Sequence, residues 1–92
     1  MAQGVILSTG DIKTEYEIVD IVFAVQVVRS HFVRSGGRET LEFLPQVNDK
    51  LREAASAKGC DGVIYLDYDF ARDNDVQVIT AYGTGVKLKQ QT

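Results

Sequence analysis

One cysteine, one histidine, one proline and no tryptophan occur in 92 residues, and each scarcity excludes something. A lone cysteine, Cys60, cannot form an intrachain disulfide. An unpaired thiol, with no secretory leader legible, predicts a reducing compartment, the cytoplasm. One histidine and one cysteine far apart, with no CxxC, HxH or HExxH spacing, do not supply the four ligands of a zinc site within one subunit. No apolar run reaches the roughly 18 residues of a membrane span, because Asp20 and Gln26 interrupt the longest. Excess positive charge is missing too. Ten basic against 13 acidic residues give a net charge of −3, which argues against a nucleic-acid footprint. The nearest thing to a basic patch is Arg29, His31, Arg34 and Arg38, which reads as a solvated loop.

What is present is an ordinary globular composition, 45% apolar and 25% charged, without repeats, low-complexity tracts or linkers. Residues 1–92 therefore form a single domain. A monomer of this size buries only about 60–65% of its unfolded surface, so a partner that covers more of it adds stability.

Gly4–Ser8 reads as a short strand closed by the turn signal Thr9-Gly10-Asp11. Glu15–Arg29 alternates with period two and is rich in valine and isoleucine. Val19, Ile21, Phe23, Val25 and Val27 form a wholly apolar set, while Ile18, Asp20, Val22, Ala24, Gln26 and Val28 form a mixed one. This pattern predicts a strand buried on one face, long enough to bend or to reach another subunit. Ser35-Gly36-Gly37 ends it with residues that tolerate positive φ. Leu44, Val47, Leu51, Ala54 and Ala55 then recur at helical spacing, with Asn48, Asp49, Lys50, Arg52 and Glu53 directed outward. The helix is expected from near Pro45, a first-turn residue, to Lys58, with Gly59 as the left-handed residue beyond its end. Glu39–Phe43 can be an earlier turn or not. Gly62–Phe70 and Asp75–Leu88 read as a hairpin joined by Ala71–Asn74. Gly83 and Gly85 alternate in its second strand, a sign of a bend or close backbone approach.

The order β-β-α-β-β predicts an α+β, two-layer fold with one helix on a mainly antiparallel sheet. One helix cannot cover every apolar position of strands this long. The remainder is expected to face another copy of the chain in a homo-oligomer.

The runs AASAKGCDGVIYLDYDF (54–70) and VITAYGTGVKL (78–88), with ILSTGDI (6–12) and IVFAVQVVRSHFVR (21–34), resemble the YbjQ-like family, labelled heavy-metal-binding. The likeness extends over nearly the whole chain. It implies a dodecin-like subunit fold and assembly into a pentameric ring or a pair of rings. Asp20 and Ala24 stand where relatives often carry glycine, and the segment after Phe32 is shorter than in many of them.

Cys60 is the sharpest candidate site residue. Its sulfur can hold a soft metal ion or a metalloid such as selenium, thiolate being the preferred soft donor; alternatively it is a small hydrophobe in a tight connection. Its place after a helix C-terminus and beside Asp61 predicts a raised thiol pKa. Asp67, Asp69, Asp73, Asn74 and Asp75 form an acidic hairpin in which Asp67 and Asp69 share a sheet face. Such a pair can take a hard cation or remain a solvated turn. His31 has no nucleophile near it in sequence and reads as a loop residue.

Tyr65 and Tyr82, with Tyr16, Tyr68, Phe23 and Phe70, are candidates to line a pocket between subunits for a planar aromatic cofactor, as in dodecin-like rings, or are core residues. No acid/base pair or nucleophile–base constellation can be assembled, so the chain is not expected to be an enzyme. The expected function is a non-enzymatic, ring-forming binding or scaffold protein. Which ligand it carries is not written in these residues.

Overall fold

The computed structural model describes residues 4–29, 37–73 and 76–89. Its elements are β1 (Ile6–Leu7), β2 (Tyr16–Arg29), α1 (Gly37–Ala57), β3 (Gly62–Asp73) and β4 (Val76–Leu88). They form a four-stranded sheet in the order β1-β3-β4-β2, with α1 on one face, which is the expected α+β class and element order. β4 pairs antiparallel with both β2 and β3, and β1 runs parallel to β3. The long strands stretch the molecule to 52 × 23 × 18 Å. Asp73 pairs with Val76, so the expected turn is shorter: Ala71, Arg72 and Asp73 belong to β3, and Asn74 and Asp75 lie outside the described residues.

α1 starts at Gly37 and carries Pro45 in its interior, eight residues upstream of the start expected at that proline. Ser35 and Gly36 lie outside the described residues. An interior proline forgoes one hydrogen bond and crowds the carbonyl four residues back. Docking outweighs that local cost: Phe43 and Leu44 pack against the core, and Val47, Leu51 and Ala55 are fully buried in it. Two polar positions on this helix face inward more than their spacing implied. The Tyr68 hydroxyl donates to Asn48 Oδ1, and Arg52 Nε donates to the Val5 carbonyl at 3.3 Å.

The helix ends as Gly59 predicted. Gly59 has φ 78°, a conformation open to glycine without steric cost. Its N–H donates to the Ser56 carbonyl (3.0 Å) and the Cys60 N–H to the Ala55 carbonyl (2.9 Å). These two bonds constitute a Schellman motif, in which the second residue past the cap turns an apolar side chain back onto the last turn. Cys60 is that residue, and it lies in the core cluster with Ala55.

Strand alternation divides the sheet into two faces. Val22, Ala24 and Val28 of β2, Val63 and Leu66 of β3, and Ile79 and Ala81 of β4 form the core with α1. The residues in the opposite phase face away from the helix. β2 and β3 each carry an irregularity, between Ile18 and Asp20 and between Ile64 and Asp67 respectively.

Candidate functional site

The face turned away from α1 is the most apolar exposed surface described. Ile21, Phe23, Val25 and Val27 of β2 are 66%, 61%, 42% and 50% exposed. This is the wholly apolar set of the sequence, and it points outward; the mixed set, with Val22, Ala24 and Val28, fills the core. Pairing through β4 arranges the face in rows across three strands: Phe23–Tyr82–Asp67, Val25–Thr80–Asp69 and Val27–Val78–Ala71. The apolar residues lie along β2 and the acidic ones along β3. The Tyr82 hydroxyl donates to Asp67 Oδ2 at 3.4 Å, and the carboxylate charge of Asp67 raises the Tyr82 pKa.

One end of this face is closed. Ile64 and Val86 are 1% and 0% exposed although they point away from α1. Residues 8–15 connect β1 and β2, which lie at opposite edges of the sheet, and so cross this face. They are fastened by Leu66 N–H to the Ser8 carbonyl (3.0 Å), Tyr65 N–H to the Gly10 carbonyl (3.1 Å) and Lys89 N–H to the Glu15 carbonyl (3.0 Å). Asp11 Oδ1 in this strap accepts from the Tyr16 hydroxyl at 2.8 Å and from the Ile12 N–H at 2.8 Å. The Tyr16 bond does most to hold the Asp11 carboxyl below its usual range, and Tyr65 adds to it. Asp11 held no place among the residues singled out by sequence. Its only sequence signal is the turn it occupies.

Tyr65 adopts φ 53°, a left-handed conformation rare for an aromatic residue. It is the extra residue of a β-bulge in which Tyr65 and Leu66 stand opposite Gly83. A Cβ on Gly83 would lie 2.6 Å from Val63 Cγ1 and 2.9 Å from the Ile64 carbonyl oxygen. The bulge therefore needs glycine across from it. Tyr65 and Tyr82 are both exposed, and Phe23 stands directly opposite Tyr82. Tyr68 and Phe70 belong elsewhere: Tyr68 packs on the core, and their rings stack at 6.5 Å.

Cys60 is 4% exposed and fills the space above Gly85, where a Cβ would lie 2.7 Å from its Sγ. Burial raises its pKa; Lys58 opposes the shift, and Asp61 and Asp20 add to it. Lys58 Nζ itself donates to Asp20 Oδ2 at 2.9 Å and to the Ile21 carbonyl at 3.2 Å, which draws the Asp20 carboxyl down in pKa. Among the described residues no group of three or more His, Cys, Asp or Glu side chains is placed to hold a metal ion. Asp67 and Asp69 share the outer face as expected. His31, Arg34, Asn74 and Asp75, and the side chains of Arg29, Arg38 and Asp73, lie outside the described residues. No helix among the described residues is long and apolar enough to cross a membrane.

No family model matches the chain. Individual proteins do. It is 31% identical to a UPF0145 protein of Enterococcus faecalis, over 84% of this chain and 89% of that one. A shorter match, 33% identical over 42 residues, joins it to the UPF0145 protein YjfJ of Lactococcus lactis, over 46% of this chain and 39% of that one. The crystal structure of a Pediococcus pentosaceus protein of unknown function, of the DUF74 family, superposes with a TM-score of 0.78 at 26% identity, over 95% of this chain and all of that one. By its likeness over most of both lengths to the E. faecalis protein, this chain belongs to the UPF0145 family, the YbjQ family that its own residues resemble.

Proposed function

We propose that this chain is a non-enzymatic binding or scaffold protein of the cytoplasm that works as a closed ring of identical subunits, a pentamer or a pair of pentamers. The observation that carries this reading is the exposed row Ile21, Phe23, Val25 and Val27 on β2. Contiguous apolar surface of this kind marks an association site on a soluble domain. Native mass spectrometry at micromolar concentration tests it. A single closed oligomer is the expected result, and a folded monomer overturns the proposal.

A second reading concerns what the ring holds. Phe23 and Tyr82 are cross-strand neighbours, both exposed, on the face assigned to assembly. Aromatic rings so placed suit a planar cofactor held between copies, with Tyr65 as a further candidate. The soft-metal or metalloid reading rests on Cys60 alone. A metal would have to open the niche over Gly85 and displace a proton from a thiol that burial holds up in pKa. Colour, or a retained mass in the same spectra, separates the two: an aromatic ligand absorbs, and a metal or metalloid departs in Cys60→Ser.

A further inference from the structure

We infer that Lys50 of α1 and Lys58 just past its end, together with Asp20, guard the outer edge of β2 against strand addition by other chains, and that this guard holds only while the helix is docked. The inference concerns the edge of the sheet. It stands apart from the assembly reading, which rests on the outer face.

β2 is the last strand of the sheet, and its own residues do nothing to protect that position. From Ile21 to Val28 it contains no proline and no charged residue, although natural edge strands are normally blunted by such residues. A stretch rich in valine and isoleucine, without charge or proline, has the composition of a segment that stacks into open-ended β assemblies. Backbone groups alternate in direction along a strand, so those of Ile21, Val25 and Val27 share one side, the side away from β4.

Protection comes from side chains outside this stretch. Asp20 Oδ1 accepts from the Ile21 N–H at 2.7 Å. Lys58 Nζ donates to Asp20 Oδ2 at 2.9 Å and to the Ile21 carbonyl at 3.2 Å. Both backbone groups of Ile21 are therefore occupied, and the two side chains that occupy them are bonded to each other. Lys50 Nζ donates to the Val25 carbonyl at 3.4 Å, and Gln26 Nε2 reaches the Val27 carbonyl at 3.5 Å. The spacing of the lysines suits the task. Eight residues of helix rise about 12 Å, and the four residues from Ile21 to Val25 extend about 13 Å, so each ammonium meets its own carbonyl. An incoming strand would have to displace both ammonium groups and bury them at the new contact, where an unpaired charge is costly. Because the lysines belong to the helical segment, undocking of α1 opens the edge and exposes the apolar stretch in one event.

Combined Lys50→Ala and Lys58→Ala substitution tests the inference, beside the Lys50→Arg/Lys58→Arg pair, the parent chain and Leu51→Ala as a destabilised control with both lysines intact. Each protein is incubated at 37 °C and followed by thioflavin T fluorescence and light scattering, after urea denaturation has ranked their stabilities. The expected result is several-fold faster thioflavin-positive growth for the alanine pair than for Leu51→Ala, with the arginine pair matching the parent. Loss of two positive charges makes the net charge more negative than −3, which by itself disfavours association, so general charge effects oppose the expected result. Growth no faster than that of Leu51→Ala would overturn the inference, since instability alone would then account for it. So would equal growth from the arginine pair, or a precipitate that does not bind thioflavin T. Should the alanine pair not fold, Lys58→Ala alone is read against the same controls.

Discussion

Cys60 and Gly85 occupy one volume between them: the missing Cβ of Gly85 is the space into which the Cys60 sulfur packs, 2.7 Å from where that atom would be. The same Cβ would stand 2.5 Å from Val22 Cγ2 and 3.1 Å from the Asp20 carbonyl oxygen. The glycine of the last strand and the cysteine after the helix are thus one packing solution.

Alanine at either glycine should destabilise the fold, with Gly83→Ala the more costly. Gly85→Ala meets two side chains at the shortest distances, whereas Gly83→Ala meets the β3 backbone at Ile64 and Leu66. Overpacking of this kind costs about 1–3 kcal/mol, with Gly83→Ala expected toward the upper end because backbone must move. Urea denaturation at fixed protein concentration checks the order. Equal midpoints for both variants would mean that β3 shifts freely at its bulge.

Leu51→Ala should cost roughly 2–5 kcal/mol, the usual range for a buried leucine. Leu51 is 0% exposed at the centre of the helix–sheet contact. Glu53→Ala, on the exposed side of α1, should stay within about 0.5 kcal/mol. The same denaturation measurement compares them.

The Cys60 thiol should react slowly with a thiol reagent at pH 7, because burial favours its neutral form. Its pKa in the folded chain lies above the ordinary 9.0, so the folded state keeps its proton where the unfolded state has lost it. The resulting stabilisation is complete below about pH 9 and declines as pH rises through the folded value. Tyr16 and Tyr82, also raised from 10.0, act in the same direction at higher pH. Melting curves between pH 8 and 11 should therefore fall less steeply for Cys60→Ala than for the parent chain. Identical slopes would show that the thiol titrates alike in both states.

Tyr65→Gly should change stability by less than about 1 kcal/mol. Relief of a left-handed non-glycine residue is worth roughly 1–2 kcal/mol, and the added freedom of glycine in the unfolded chain offsets part of it. Tyr65→Val places a β-branched residue at φ 53° and should be clearly less stable than either. If valine matches tyrosine in thermal denaturation, the bulge has no positive-φ requirement.

The sequence by itself determined the element order, the stripe Val47–Leu51–Ala55 and the end of the helix at Gly59. Those features follow from local periodicity and from the backbone freedom of single residues. It also showed more apolar strand than one helix can cover. Which face of β2 the helix would take was a tertiary decision. Gly85 and the Cys60 sulfur shape the helix side to accept Val22, so the mixed set went inward and the purer apolar set outward. The helix reaches back through Pro45 to Gly37 for a similar reason, since docking of Phe43 and Leu44 on the core outweighs a local breaker of about 3 kcal/mol. The Asp11–Tyr16 contact and the bulge at Tyr65 were likewise set by the strap crossing from one sheet edge to the other. Period-two alternation marks two faces of a strand, but only the neighbours packed on each face decide which one is buried.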